Sequence, residues 1–190
     1  MMGSNADEGT AFVTGNVQAA GFKATAKSRL GDQADAYLKI YPADSDDAAK
    51  KSSAAAMRDQ IFGWQMRTWA RLQTKTGKSK VYLYYFSKVP PGEFGVKLGA
   101  YHASEIAYVF ENLQGGTSID KKLSDEMSSY WVNFAATGDP NGKALPKWPA
   151  YLEKTDLAMG LGEKVEVVPL PHRDALDFLD AQFAKPHAAQ

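Results

Sequence analysis

The 190-residue sequence contains no cysteine. Disulfide bonds, a thiol nucleophile and a thiolate metal site are therefore excluded for this chain. Its 22 lysine and arginine residues equal its 22 aspartate and glutamate residues, so the formal net charge is zero. A chain without excess positive charge lacks the electrostatic pattern of a protein that binds nucleic acid or an anionic membrane.

Long apolar runs are also absent, because no segment approaches the roughly 20 consecutive apolar residues that a membrane-spanning helix needs. The aspartate-rich segment at residues 44–47 lacks the glycine and the terminal glutamate of a calcium-binding loop. Its carboxylates suit the first turn of a helix, where the helix dipole favours negative charge. The sequence thus predicts no membrane span, no metal site and no cofactor site.

The segment Val81-Tyr-Leu-Tyr-Tyr-Phe86 is the clearest predicted strand. An uncharged run of β-branched, aromatic and aliphatic residues is typical of a strand covered on both faces, as in a parallel sheet. Two further strands are expected at residues 156–160 and 165–168. They are predicted to be antiparallel and joined by a glycine-containing turn.

Helical periodicity is present in most of the remaining chain. Helices are predicted at residues 23–41, with a break at Gly31, and at residues 105–112, 124–137 and 174–183, while residues 48–73 are predicted to form one or two helices. Residues 87–99, which include Pro90-Pro91-Gly92, are predicted to form a loop. Lys185 onward is expected to be a frayed tail.

His102 follows the predicted strand and this loop, within Gly99-Ala-Tyr-His-Ala-Ser-Glu-Ile-Ala-Tyr-Val-Phe110. An imidazole titrates near neutral pH, and loops at strand ends commonly face a cleft, so this is a favourable position for a general base. The other histidines, His172 and His187, fall in expected loops and are interpreted as solvated.

Two adjacent carboxylates occur near the N-terminus, where Asp7 and Glu8 lie in a polar, turn-rich segment of residues 3–10. This segment is typical of a loop that leaves a strand, yet only two residues precede it, so the chain is expected to be truncated. From the residues alone, a solvated acidic turn is the simpler interpretation.

Four segments of the sequence resemble segments of a known protein family. They are Gly3-Ser-Asn-Ala-Asp-Glu-Gly-Thr-Ala-Phe12, Val81–Phe86, Gly99–Phe110, and Trp131-Val-Asn-Phe-Ala-Ala-Thr-Gly-Asp-Pro-Asn141 with Trp148-Pro149. In this order they are similar to the catalytic-acid loop, the strand before the catalytic histidine, the histidine loop and a C-terminal segment of type B carboxylesterases. That family of α/β-hydrolases includes cholinesterases and para-nitrobenzyl esterases.

The resemblance implies an α/β fold: the C-terminal portion of an α/β-hydrolase, with the last sheet strands, their covering helices and an incomplete sheet. Residues 1–190 would form one C-terminal fragment of the catalytic domain. Residues 1–80 would hold the acid loop and a helical region. Residues 81–190 would hold the strand, the histidine loop, and the C-terminal helices and strands.

The resemblance also implies roles for three side chains. Glu8 would be the acid and His102 the base of a Ser-Glu-His triad that hydrolyses small carboxylic esters through an acyl-enzyme. The order of acid before histidine is that of α/β-hydrolases. Glu105, one helical turn beyond His102, either steadies the histidine loop or is simply a carboxylate favoured at a helix N-terminus.

The nucleophile is missing from this pattern, since the sequence contains no Gly-x-Ser-x-Gly motif and no His-Gly-Gly-Gly-like segment. Ser4 and Ser104 lie beside the two loops but lack the glycine setting of a nucleophile elbow. We therefore expect little activity from the chain alone. The truncation further predicts an exposed sheet edge on Val81–Phe86, through which the chain would self-associate or bind the missing N-terminal portion.

A non-catalytic interaction module of the same family is the alternative. Such a protein need keep neither the acid nor the base. The presence of both Glu8 and His102 therefore favours the hydrolase.

Overall fold

A four-stranded sheet forms the centre of the computed structural model, which describes residues 1–184. The predicted tail from Lys185 and His187 lie outside the described residues. Strand β1 pairs with β2 and β2 with β3 in parallel, whereas β3 and β4 are antiparallel. The strands are β1 at Met2–Asn5, β2 at Leu83–Phe86, β3 at Leu157–Leu161 and β4 at Val165–Pro169. The predicted parallel setting of β2 and the antiparallel β3–β4 pair are confirmed.

The helices occupy most of the predicted positions. A π-helical segment, Arg58–Gly63, joins the third helix to the fourth. In the part of the chain that the structure describes, no helix combines the length and the apolar composition needed to cross a membrane. The helices are α1 at Ala19–Leu30, α2 at Ala34–Ile40, α3 at Asp46–Met57, α4 at Trp64–Thr76, α5 at Glu93–Leu98, α6 at Ile106–Val109, α7 at Ser118–Thr137 and α8 at Arg173–Phe183.

Helices cover both faces of β2, and the alternation of its side chains divides the core into two clusters. Tyr82 and Phe86 point to one face, where they pack with buried residues of α6, α7 and the Trp148 segment. Val81 and Leu83 point to the other face, where they pack with buried residues of α4 and α8. The uncharged composition of this strand therefore reflects burial on both sides.

The clearest differences from the predicted helices are at α7 and α5. Helix α7 begins at Ser118, six residues before the predicted start, because Thr117 and Asp120 form a reciprocal capping box. Its predicted end is confirmed, since Gly138 adopts a left-handed conformation with φ of 78°. The predicted loop at residues 87–99 contains the short helix α5, which starts directly after Gly92.

The prediction that β2 would be an exposed edge is wrong. Part of the strand before the acid loop is present, because Gly3, Ser4 and Asn5 continue β1 instead of forming a loop. The backbone N–H of Met2 donates to Tyr82 O at 3.0 Å, at the start of the β1–β2 pairing. Among residues 1–184 the two edge strands are β1 and β4, and β1 is the edge on the parallel side of the sheet.

Arg67 on α4 ties the helical layer to the sheet. Its guanidinium lies 2.6 Å from the Asp156 carboxylate, at the start of β3, and 2.7 Å from Asp177 on α8. The side chains of Arg67 and Asp156 are only 3% and 1% exposed. Burial alone would raise the pKa of Asp156, but the hydrogen bonds and charge of Arg67 and the Tyr151 hydroxyl outweigh it and lower that pKa.

This buried pair predicts a stability difference between two arginine substitutions. Arg67→Met leaves the Asp156 charge buried without its main partner and is expected to cost about 3–5 kcal/mol of unfolding free energy. The control is Arg173→Met, because Arg173 is half exposed and lies 3.4 Å from the same carboxylate. That change is expected to cost at most about 1 kcal/mol. Equal losses in urea unfolding of the two variants would contradict this assignment.

Candidate active site

Glu8 and His102 are brought into direct contact, although they are 94 residues apart in the sequence. Oε2 of Glu8 lies 2.6 Å from Nδ1 of His102. An ionised carboxylate can only accept a hydrogen bond, so Nδ1 is the donor in this contact, and in a neutral imidazole Nε2 is then the nitrogen with the lone pair. The His102 side chain is 47% exposed, and Glu8 is buried. The contact thus fixes the orientation of a half-exposed imidazole through its Nδ1 atom.

The environment of Glu8 makes its carboxylate more basic than that of an exposed glutamate. Burial raises the pKa of Glu8, while the backbone N–H of Asn5 and the imidazole of His102 oppose this effect without cancelling it. The Asn5 N–H donates to Oε1 at 2.9 Å, so each carboxylate oxygen has a fixed donor. A more basic acceptor strengthens the hydrogen bond to the imidazole.

Hydrogen bonds join the loop that contains Glu8 to the loop that contains His102. Asp7 accepts from the backbone N–H of Ala100 at 2.8 Å, and the Thr10 hydroxyl lies 2.7 Å from Leu98 O. Gly99 adopts φ of 73°, and a Cβ atom there would collide with the Asp7 carboxylate. A glycine is thus required where the two loops approach most closely.

Asn5 is the central connection, and the sequence offered no signal for it beyond its place before Glu8. It is almost fully buried. Its amide nitrogen donates to Tyr101 O at 2.8 Å and to Oε2 of Glu105 at 2.6 Å, while its backbone binds Glu8. One residue therefore holds the acid and both ends of the segment that carries His102.

Glu105 lies behind the pair and contacts neither Glu8 nor His102 by a hydrogen bond among the described residues. It accepts from Asn5 and lies 3.5 Å from the Tyr84 hydroxyl. It occupies the position before α6 but makes no side-chain capping bond there. Its contacts anchor the histidine loop to β1 and β2.

Two phenylalanine rings pack close to the imidazole of His102. The ring centroids of Phe12 and Phe62 lie 5.7 and 4.9 Å from that of His102. Phe62 belongs to the π-helical segment, a rare geometry that is frequent at functional sites. The structure thus places an aromatic side chain of this segment beside His102.

Neither candidate serine is placed to act on a substrate, because Ser4 and Ser104 are both buried. The remaining described histidine, His172, was interpreted as solvated. It is exposed, but its Nε2 lies 3.0 Å from the Tyr85 hydroxyl, and partial burial lowers its pKa. The contact between His172 and Tyr85 is separate from the Glu8–His102 site.

Comparison with known sequences identifies relatives of this chain. The sequence model of the carboxylesterase family matches residues 1–179. The chain is 31% identical to the fumonisin B1 esterase of Sphingopyxis macrogoltabida over 191 aligned residues, which cover 89% of this chain and 34% of that protein. It is 47% identical to carboxylesterase 4A of Bos taurus over 77 residues, which cover 37% of this chain and 14% of the relative.

Solved structures show the same architecture. A PNB esterase aligns with a TM-score of 0.70 and 29% identity, covering 92% of this chain and 37% of that one. A thermophilic PNB esterase aligns with a TM-score of 0.72 and 25% identity, and the alignment covers 93% of this chain and 37% of that one. The predicted α/β fold class is confirmed. The chain spans about a third of the length of these two structures and of the fumonisin esterase.

The position of Asn5 generates a prediction about the Glu8–His102 hydrogen bond. Asn5→Ala removes two buried side-chain hydrogen bonds, one to a carboxylate, and is expected to cost about 2 kcal/mol of unfolding free energy. The proton on Nδ1 of His102, which resonates far downfield when bound to a carboxylate, should exchange faster with water. Proton NMR measures both its shift and its exchange rate.

Asn16→Ala is the matched control, because Asn16 is exposed. It should leave both the stability and the Nδ1 proton signal unchanged, while His102→Ala assigns that signal. An Asn5→Ala variant with an unaltered signal and an unaltered exchange rate would show that Asn5 does not position the pair.

Proposed function

The chain belongs to the carboxylesterase family, and on that premise we propose that Glu8 and His102 are the catalytic acid and base of a carboxylic ester hydrolase. The observation that carries this proposal is the 2.6 Å contact between Glu8 Oε2 and His102 Nδ1. It leaves Nε2, the nitrogen that a serine hydrolase uses, without a hydrogen-bond partner among residues 1–184.

The proposed mechanism assigns one step to each group. Nε2 of His102 takes the proton of a serine hydroxyl as the serine attacks the ester carbonyl, and later gives that proton to the leaving alcohol. Glu8 holds the imidazole in one tautomer and stabilises the imidazolium formed in between. A buried, basic carboxylate with a second fixed donor at Oε1 suits this task, because it cannot rotate away from the ring.

We propose that the serine and the oxyanion donors come from a segment outside these 190 residues. Three observations support this: the sequence has no Gly-x-Ser-x-Gly motif, Ser4 and Ser104 are buried, and the chain spans about a third of the fumonisin esterase relative. Without a nucleophile no acyl-enzyme forms. The isolated chain is then essentially inactive, and its substrates in the complete enzyme are small carboxylic esters.

The proposal is tested by complementation. The chain alone should hydrolyse para-nitrophenyl acetate no faster than a buffer containing an equal concentration of imidazole. Co-expression with the remaining two thirds of the PNB esterase, which aligns with this chain over 37% of its length, should produce esterase activity. In that complex, Glu8→Gln or His102→Ala should reduce kcat/KM by on the order of 10³–10⁴-fold.

Glu105→Gln serves as the control, because it keeps an acceptor for Asn5 and touches neither member of the pair. It should retain most of the activity. Complemented activity that survives His102→Ala would contradict the proposal. A well-folded complex with no activity at all would instead favour the non-catalytic interaction module.

We also propose that the chain associates through the free edge of β1. β1 has a single neighbouring strand among residues 1–184, and its edge is partly exposed at Met2 and Gly3, where backbone donors and acceptors can pair with another strand. Phe94 and Phe110, which are 70% and 75% exposed, are large apolar side chains that a partner can also cover.

Sedimentation measures this association directly. The chain alone should form dimers or larger species at micromolar concentration. The complementary segment of the PNB esterase should convert them to a one-to-one complex. A chain that stays a monodisperse monomer and does not bind the complementary segment would contradict the proposed association through the edge of β1.

A further inference from the structure

A cavity of about 420 Å³ lies between the loop after Glu8, α3 and α5. Thr10 and Val13 line it from the first of these elements, and Leu98 lines it from the segment that leads to the histidine loop. Three lysines complete its wall: Lys50 and Lys51 from α3 and Lys97 from α5. We call this space the lysine cavity.

Within the described part of the chain, the three ammonium groups have no carboxylate as an ion-pair partner. Among residues 1–184, none of Lys50, Lys51 and Lys97 lies within ion-pair distance of a carboxylate or makes a side-chain hydrogen bond that satisfies the usual geometry. All three are exposed. Lys88, by contrast, pairs with Glu163 at 2.7 Å.

Positively charged side chains outnumber negatively charged ones around the cavity. Asp47 is the one acidic residue among those that line it, against three lysines. In a chain whose total charge is zero, this is a local excess of positive charge. Like charges that converge on one space repel each other, and an anion bound between them removes this cost.

The cavity adjoins the catalytic pair through both loops. Thr10 is two residues from Glu8, and its hydroxyl lies 2.7 Å from the carbonyl of Leu98. Leu98 in turn precedes Gly99, where the histidine loop approaches Asp7. A ligand in the cavity therefore touches the same loops that hold Glu8 and His102.

We propose that the lysine cavity binds the carboxylate of an organic anion. Val13, Ala54 and Leu98 provide an apolar wall for a hydrocarbon chain, which an inorganic anion does not need. If the proposed esterase function holds, on which this extension rests, the substrates are esters that carry a second, free carboxylate. The cavity then selects them by charge.

Calorimetric titration of the chain at low ionic strength tests the binding step without turnover. Glutarate, a short dicarboxylate, is the probe. Its neutral dimethyl ester has the same carbon chain between the carboxyl groups but no charge, and inorganic phosphate has charge but no carbon chain. Glutarate should bind at least about tenfold more tightly than either comparison compound.

Two triple variants with the same change in net charge locate the site. Replacing Lys50, Lys51 and Lys97 together by Gln should weaken glutarate binding by about tenfold. Replacing three exposed lysines elsewhere, Lys27, Lys80 and Lys154, by Gln should weaken it by less than about twofold at the same ionic strength. Circular dichroism checks that both variants remain folded.

The inference is overturned if the two triple variants bind glutarate equally, or if dimethyl glutarate or phosphate binds as well as glutarate. Its failure is distinguishable from that of the esterase proposal, because Glu8→Gln and His102→Ala should leave glutarate binding unchanged. Glutarate binding by a complemented enzyme that is inactive would overturn the esterase proposal alone. An active complex whose chain binds no glutarate would overturn the lysine cavity alone.

Discussion

The candidate site depends on the parallel alignment of β1 with β2. The carboxyl ends of parallel strands meet at the same edge of a sheet, so the loops after β1 and β2 leave side by side. A bridge between Asp7 and Tyr101 extends this pairing past the ends of both strands. Glu8 and His102 follow within one residue of that bridge on each loop. Their contact is therefore a direct consequence of strand register.

The parallel alignment of β1 with β2 also allows the Glu8 carboxylate to be buried at the site. Burying Glu8 carries a desolvation cost, which is visible in its raised pKa. Fixed donors offset this cost: the Asn5 N–H on one oxygen and the imidazole on the other. Donors that are already in place need no reorganisation when charge develops on the imidazole during a reaction. Asn5 thus connects sheet geometry to the chemistry of the site.

How far the sequence predicts this structure varies from element to element. β2 was predictable because its uncharged, aromatic composition matches burial on both faces. β1 was not, because Gly3, Ser4 and Asn5 have low strand propensity, and their extended conformation comes from the ladder with β2. The early start of α7 had a local signal in Thr117 and Asp120 that the prediction overlooked.

The sequence by itself determined the chemistry that is available: an acid before a histidine, no cysteine, no Gly-x-Ser-x-Gly motif and membership of the carboxylesterase family. Only the tertiary structure decided that Asn5 joins the two loops, that Phe62 lies against His102, and that lysines from α3 and α5 line one cavity. The physical reason is distance along the chain. Composition and short-range periodicity report what a segment forms locally, whereas these contacts join side chains far apart in sequence, whose meeting is set by strand register and helix packing.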